Sequence, residues 1–291
     1  MVYGSVVTRT KFKKGIKRGK YEKMVHSCFN DNPYGHRRGR ISMKMLSTSI
    51  KIYLGLIVTL AILSAINVFL PQGSFLPILP EELPASKPML ALVNAVIMLI
   101  LYGGLGFIGL KLSQKLGFAD IWDSRVTNKQ RFLIPALVGI AIGVFFIFAD
   151  IILSQFHTLG PLPHPPFPTS LVASAVAGIG EEIIFRLFFI SFWVWLISFV
   201  ILKKIWQNQI FWIIAILSAL AFALGHIPLV MILFGLNAVN EFPPALLSEI
   251  ILLNGVLSIF AAYYFRKFGF LAPVGIHFWT DVIWHVCYSL F

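Results

Sequence analysis

The sequence predicts an all-α fold: a polytopic membrane helix bundle of about seven transmembrane helices, or eight if the fifth apolar run breaks at Pro228. Three observations predict it. The 291 residues are 58% hydrophobic and only 12% charged, with mean hydropathy +0.83, whereas soluble domains carry about twice that share of charge. Apolar runs of the roughly 20 residues that a helix needs to cross a hydrocarbon core about 30 Å thick recur along the chain. The connections between those runs alternate between basic and nearly charge-free, as the positive-inside rule requires. Two cysteines, Cys28 and Cys287, exclude a disulfide scaffold.

Taken in order, the first 50 residues hold 12 Lys and Arg against 2 Asp and Glu, so most of the net charge of +12 sits there. Residues 1–45 are expected to form a basic, disordered cytoplasmic leader beside anionic lipid. A nucleic-acid arm would have similar charge, but a basic tail tethered to a first span holds an N-terminus in the cytosol, and no nucleic-acid partner is expected. Met43 and Met45 are alternative starts just upstream of the first run. That run is too long for a secretory signal and lacks a small-residue cleavage site, so it reads as a retained anchor.

The apolar runs cover residues 50–70, 89–110, 132–155, 169–202, about 209–236, 244–265 and 271–290. Lys111, Lys115, Arg125, Lys129, Arg131, Lys203, Lys204, Arg266 and Lys267 fall in one set of connections, and only Lys87 in the other. This predicts a multi-pass protein of the cell membrane with a cytoplasmic N-terminus and an outer C-terminus. Cys28 and Cys287 then lie on opposite sides. The Pro-rich segment 161–168 becomes an outer loop, with His157 and His164 as surface residues rather than metal ligands. The fourth run, at about 50 Å, must tilt, kink or protrude.

Charged side chains inside spans cost at least about 2.5–3.5 kcal/mol each, which makes them functional candidates. Glu181, Glu182 and Arg186 lie in the fourth run, His226 in the fifth, and His277 and Asp281 in the seventh. Glu182 and Arg186 are i,i+4 neighbours suited to an ion pair, while Glu181 is rotated by about 100° and must face water, a metal or another helix. His277 and Asp281 share a face, and Asp281 can also reach His285. At about 1.5 Å per residue, His226 reaches the depth of Glu181 only if the fifth helix continues past Pro228 towards Leu236.

A carboxylate that takes a proton from water, beside an imidazole that positions the same water, makes a nucleophile for an acyl carbon. A second imidazole with a polar partner one turn on can stabilise the oxyanion. Alternatively, Glu181, His226 and His277 supply three ligands to a catalytic zinc, with Glu182 as base. Both versions predict amide hydrolysis within or beside the membrane. On this reading residues 46–165 are accessory helices and 166–291 the catalytic core.

Glu181, Glu182 and Arg186 match an E-E-x-x-x-R element, Phe222 to His226 an F-x-x-x-H element, and His277 to Asp281 an H-x-x-x-N/D element. In order and spacing, residues 170–290 resemble the CAAX-protease and bacteriocin-processing family of intramembrane proteases, which includes the type II CAAX prenyl endopeptidases. The resemblance implies Glu181 as general base with His226, and His277 with residue 281 as the oxyanion site. The prenyl endopeptidases have Asn where this chain has Asp281, and an ionised Asp cannot donate to an oxyanion. Asp281 must then be protonated, orient His277 or His285, or bind a metal. The implied partner is a peptide or prenylated protein substrate at the bilayer. Two other readings keep the same helices: a non-hydrolytic scaffold or bacteriocin-immunity protein, and a transporter, which the missing internal repeat disfavours.

Overall fold

The computed structural model describes residues 47–73 and 85–288; the basic leader expected over residues 1–45, with Cys28, lies outside them. Every regular element among the described residues is helical. Six helices are long and apolar enough to cross a membrane: α1 (Thr48–Asn67), α2 (Lys87–Lys115), α3 (Lys129–Phe156), α4 (Thr169–Ile201), α5 (Gln207–Phe234) and α6 (Pro244–Phe268). The seventh, α7, is an 11-residue α-helix, Leu271–Asp281, that widens into a 6-residue π-helical turn, Val282–Cys287. Over its described residues it is shorter than the other six, which is where the structure departs from seven full-length spans.

Local chemistry explains the boundaries. Ser47 Oγ accepts the Ile50 N–H at 3.3 Å and caps α1. Pro88 and Pro244 occupy first-turn positions of α2 and α6, where a missing N–H costs nothing. In α5, Pro228 has no N–H to give, and the turn before it tightens so that the His226 N–H bonds Ala223 O at 3.1 Å. The helix nevertheless carries on, with the Val230 N–H on His226 O at 3.0 Å, and stops at Gly235 in the left-handed conformation. Among the described residues the fifth run is accordingly one span rather than two.

Association of apolar helices in lipid depends on close packing more than on hydrophobic burial. Close backbone packing surrounds α7. A Cβ at Gly139 of α3 would collide with Ile276 O, so glycine is needed where α3 and α7 touch backbone to backbone. One turn on, the Thr280 hydroxyl donates to Gly139 O at 3.1 Å and to Ile276 O at 2.9 Å. These contacts lock the axial position of α7, and with it His277 and Asp281. Two apolar cores flank the region, one around Tyr53, Leu60, Ile183 and Phe211 and the other around Phe146, Phe222, Leu253 and Ile276. Outward residues such as Ile100, Phe148 and Ile216 are exposed, as a lipid-facing surface requires.

The two ends of the bundle differ in character. At the basic end, Arg125 pairs with Asp123 at 2.6 Å and holds its carboxyl well below the usual carboxylate range. Arg131 lies over the Trp122 ring at 3.9 Å and donates to Asp123 O at 2.7 Å. At the other end the Pro-rich loop is pinned inward rather than lying on the surface. The Leu162 N–H bonds Asp150 Oδ1 at 3.1 Å. His157, with its side chain 1% exposed, stands 3.5 Å from Glu249 Oε2, and His164 Nδ1 is 2.8 Å from His285 Nδ1. This corrects the surface assignment of both histidines. The partners that turn them inward sit on distant helices, and one of them, Glu249, is a lone carboxyl within the sixth apolar run.

Candidate active site

The fourth helix presents the first half of the site. An α-helical stretch, Thr169–Glu182, gives way to a π-helical one, Ile183–Ile190, directly after the paired glutamates. Such widened turns recur at functional sites. Glu182 and Arg186 are both fully buried, with Arg186 Nε 3.2 Å from Glu182 Oε2, within ion-pair range. The guanidinium also donates through Nη2 to Ser258 Oγ at 2.6 Å and lies over the Phe222 ring at 4.7 Å. The expected pair is therefore present, and its remaining cost is offset by a hydroxyl and an aromatic face from two other helices.

Glu181 is placed differently. Its side chain is 35% exposed and faces a cavity of about 340 Å³. Adjacent helical positions were expected to send the two carboxylates in different directions, yet they flank one imidazole. Glu182 Oε1 lies 2.9 Å from His277 Nδ1, and Glu181 Oε2 lies 3.6 Å from His277 Nε2. Each of the two ring nitrogens of His277 meets one of the carboxylates. Asp281 Oδ2 is 3.5 Å from the same Nε2, so Asp281 turns to His277 as its spacing predicts. His285 instead pairs with His164, and burial lowers His164 to about 4.

On α5 the tightened turn has a chemical result. With the His226 N–H directed to Ala223 O, Phe222 O meets the imidazole, 2.8 Å from Nδ1. A carbonyl only accepts, so Nδ1 carries a proton, and in the neutral ring Nε2 is the one left with a lone pair. Phe222 packs edge-on against both imidazoles, 4.8 Å from His226 and 5.8 Å from His277 between ring centroids. It is thus a shared platform for His226, His277 and Arg186, a role its motif position did not reveal.

Glu181, His226, His277 and Asp281 all line the cavity, together with aliphatic residues such as Leu229, Leu233 and Leu257 and with Asn254. The structure brings these predicted residues together, with Glu182 and Arg186 behind them as a sealed pair. The zinc-ligand set fares differently. Among the described residues no three His, Cys, Asp or Glu side chains form a group able to hold a metal ion. His277 meets a carboxylate at each ring nitrogen, whereas His226, with Nδ1 on a carbonyl, keeps Nε2 open. Glu181, His226 and His277 do not assemble as ligands here. Residues with no part in the sequence-based site are Ser258, Asn254, Glu249, Asp150 and the two loop histidines; an isolated polar residue inside an apolar run is the available signal for Asn254 and Glu249.

The site coincides with a known family. Residues 163–283 match the family model described as type II CAAX prenyl endopeptidase Rce1-like, and that interval contains Glu181, Glu182, Arg186, His226, His277 and Asp281. This part of the chain is similar to the Rce1-like family. The family is one of membrane proteases, so the activity class it implies is peptide-bond hydrolysis in a multi-pass membrane protein. Neither a curated protein nor a solved structure matches the chain.

Proposed function

We propose that the protein is an intramembrane endopeptidase that uses Glu181 and His226 to activate water against a peptide bond of a membrane-associated substrate, a prenylated CAAX protein or a peptide. One observation carries this reading. Of the two paired glutamates, Glu182 is sealed against Arg186 while Glu181 faces the cavity with its side chain 35% exposed. A general base must reach both water and the scissile carbonyl, and only a cavity-facing carboxylate does so. A water between Glu181 and the lone pair of His226 Nε2 gives its proton to Glu181 as its oxygen attacks the carbonyl carbon. The proton then passes from Glu181 to the departing amine. His277 stands beside the same carboxylate, oriented by Glu182 and Asp281. In its doubly protonated form it supplies Nε2–H to the developing oxyanion. Asp281 on this account orients His277 and donates nothing itself.

The test is purified protein in lipid with a fluorogenic peptide library that includes prenylated members, comparing wild type, Glu181→Ala and His226→Ala with and without a chelator. Cleavage by wild type that is lost in both variants and insensitive to chelation is the expected result. Cleavage that survives both substitutions removes the mechanism, and loss on chelation with rescue by zinc moves the catalysis to a metal. A reporter fused after Phe291 tests the orientation, which places the C-terminus opposite the basic connections.

A further inference from the structure

Four residues of α6 face the cavity at helical spacing: Ile250, Leu253, Asn254 and Leu257. Three are aliphatic and one is an amide. A polar side chain within a span more often joins helices together, but Asn254 does not do this. Its Nδ2 donates at 2.9 Å to Ile250 O, the carbonyl one turn back on its own helix. That contact fixes the amide orientation, since a carbonyl cannot receive the amide oxygen. Among the described residues, its second N–H and its Oδ1 take no protein partner, and the half-buried side chain borders the cavity.

Asn67 Oδ1 and Trp284 Nε1, which also border the cavity, are likewise without a partner among the described residues, but the hydroxyls and the Gln72 amide N–H are occupied. Ser174 Oγ donates to Ser170 O at 2.7 Å, Thr169 to Pro71 O, and Gln72 Nε2 to Asn67 O at 3.1 Å and Leu70 O at 3.3 Å. Glu181 and Asp281, when ionised, only accept. Asn254 therefore offers a neutral donor and a neutral acceptor side by side, which is the complement of a peptide group. It also sits one turn along α6 from Ser258, the residue that holds Arg186 behind Glu182. A turn of helix is about 5.4 Å, between one and two residue spacings of an extended substrate at about 3.3–3.6 Å each.

We propose that Asn254 binds the backbone of the substrate, pairing with a peptide group next to the bond that is cleaved. This rests on the protease reading above, and the experiment separates the two. The probe is a fluorescein-labelled peptide with a farnesylated cysteine three residues from its C-terminus, used with full-length protein in nanodiscs. A second version replaces the peptide bond adjacent to the cleaved one with an ester, which removes the N–H and weakens the carbonyl acceptor.

Asn254→Leu is expected to lower kcat/KM about tenfold or more on the peptide while leaving the pH profile of kcat unchanged. The ester is expected to be a poorer substrate than the peptide for wild type but an equal one for Asn254→Leu. In the Glu181→Gln background, which is expected not to cleave, adding Asn254→Leu is expected to weaken peptide binding about tenfold. Asn254→Ser, which keeps a smaller donor and acceptor, serves if the leucine variant does not fold, and it is expected to fall between the two. Wild-type kinetics in the variants, or equal discrimination against the ester by wild type and variant, overturns the proposal. Peptide binding without cleavage by wild type refutes the protease reading while the binding arm still decides the role of Asn254.

Discussion

Two polar clusters lie inside this apolar bundle, and they handle the cost of burial in opposite ways. Around Glu181, a cation is present, because Arg186 sits against Glu182, and one carboxylate opens onto the cavity. Around Asp150 and Glu249, both carboxyls are fully buried and face one another, and neither forms an ion pair with Lys or Arg among the described residues. Their partners include the Leu162 N–H and the His157 ring, both from the connection between α3 and α4. The first cluster has access and is organised for chemistry. The second has none and ties a loop over the cavity that Leu162, Pro163 and Pro165 help to line. Access of a carboxylate to water, more than its presence in a span, separates a reactive site from a structural one.

The sharpest way to break that distinction is to neutralise one carboxylate from each cluster. Glu181→Gln is expected to lower peptide cleavage by roughly 10²–10⁴-fold, the range for losing a general base, with little change in melting temperature. Glu249→Gln is expected to leave cleavage per folded molecule within about threefold, and an equal loss in both variants would erase the contrast. Next in size is the sealed ion pair. Arg186→Leu leaves Glu182 buried without its cation and is expected to destabilise the protein by about 3–5 kcal/mol. Chemical denaturation in detergent should show most of that recovered in the Glu182→Leu, Arg186→Leu double variant.

Smaller effects probe the loop. Asp150→Ala removes the acceptor of the buried Leu162 N–H and should cost about 1–3 kcal/mol, measured by the same denaturation and by faster proteolysis between residues 157 and 168. The smallest concerns pH. His164 is held near 4 when folded because burial disfavours its charged form, against an ordinary value of 6.5. The unfolded chain therefore binds more protons between those values, and stability falls as pH drops through that window. From pH 7 to 5 the loss should be on the order of 1–2 kcal/mol, and melting curves of His164→Gln should lack that part of the acid sensitivity. A variant as acid-sensitive as wild type would contradict this assignment.

Much of this was legible in the residues themselves. The apolar runs located the helices to within a few residues, because lipid demands about the same length of each. Helical spacing predicted the Glu182 and Arg186 pair and the shared face of His277 and Asp281, which are contacts within one helix. What could not be read were contacts across distance in the chain. The bond from His277 to Glu182 spans 95 residues, that from His157 to Glu249 spans 92, and that from His164 to His285 spans 121. Pro228 marked a disturbance in α5 without showing that the tightened turn would free Phe222 O for the His226 ring.

The sequence by itself determined the helices and a set of candidate residues, since hydropathy acts locally and an ionisable group in lipid is too costly to persist without a use. Only the tertiary structure decided that Glu181 faces the cavity while Glu182 is sealed. That choice depends on where α7 stands, and α7 is held by the backbone contact that Gly139 permits, by Thr280, and by two glutamates meeting a single imidazole.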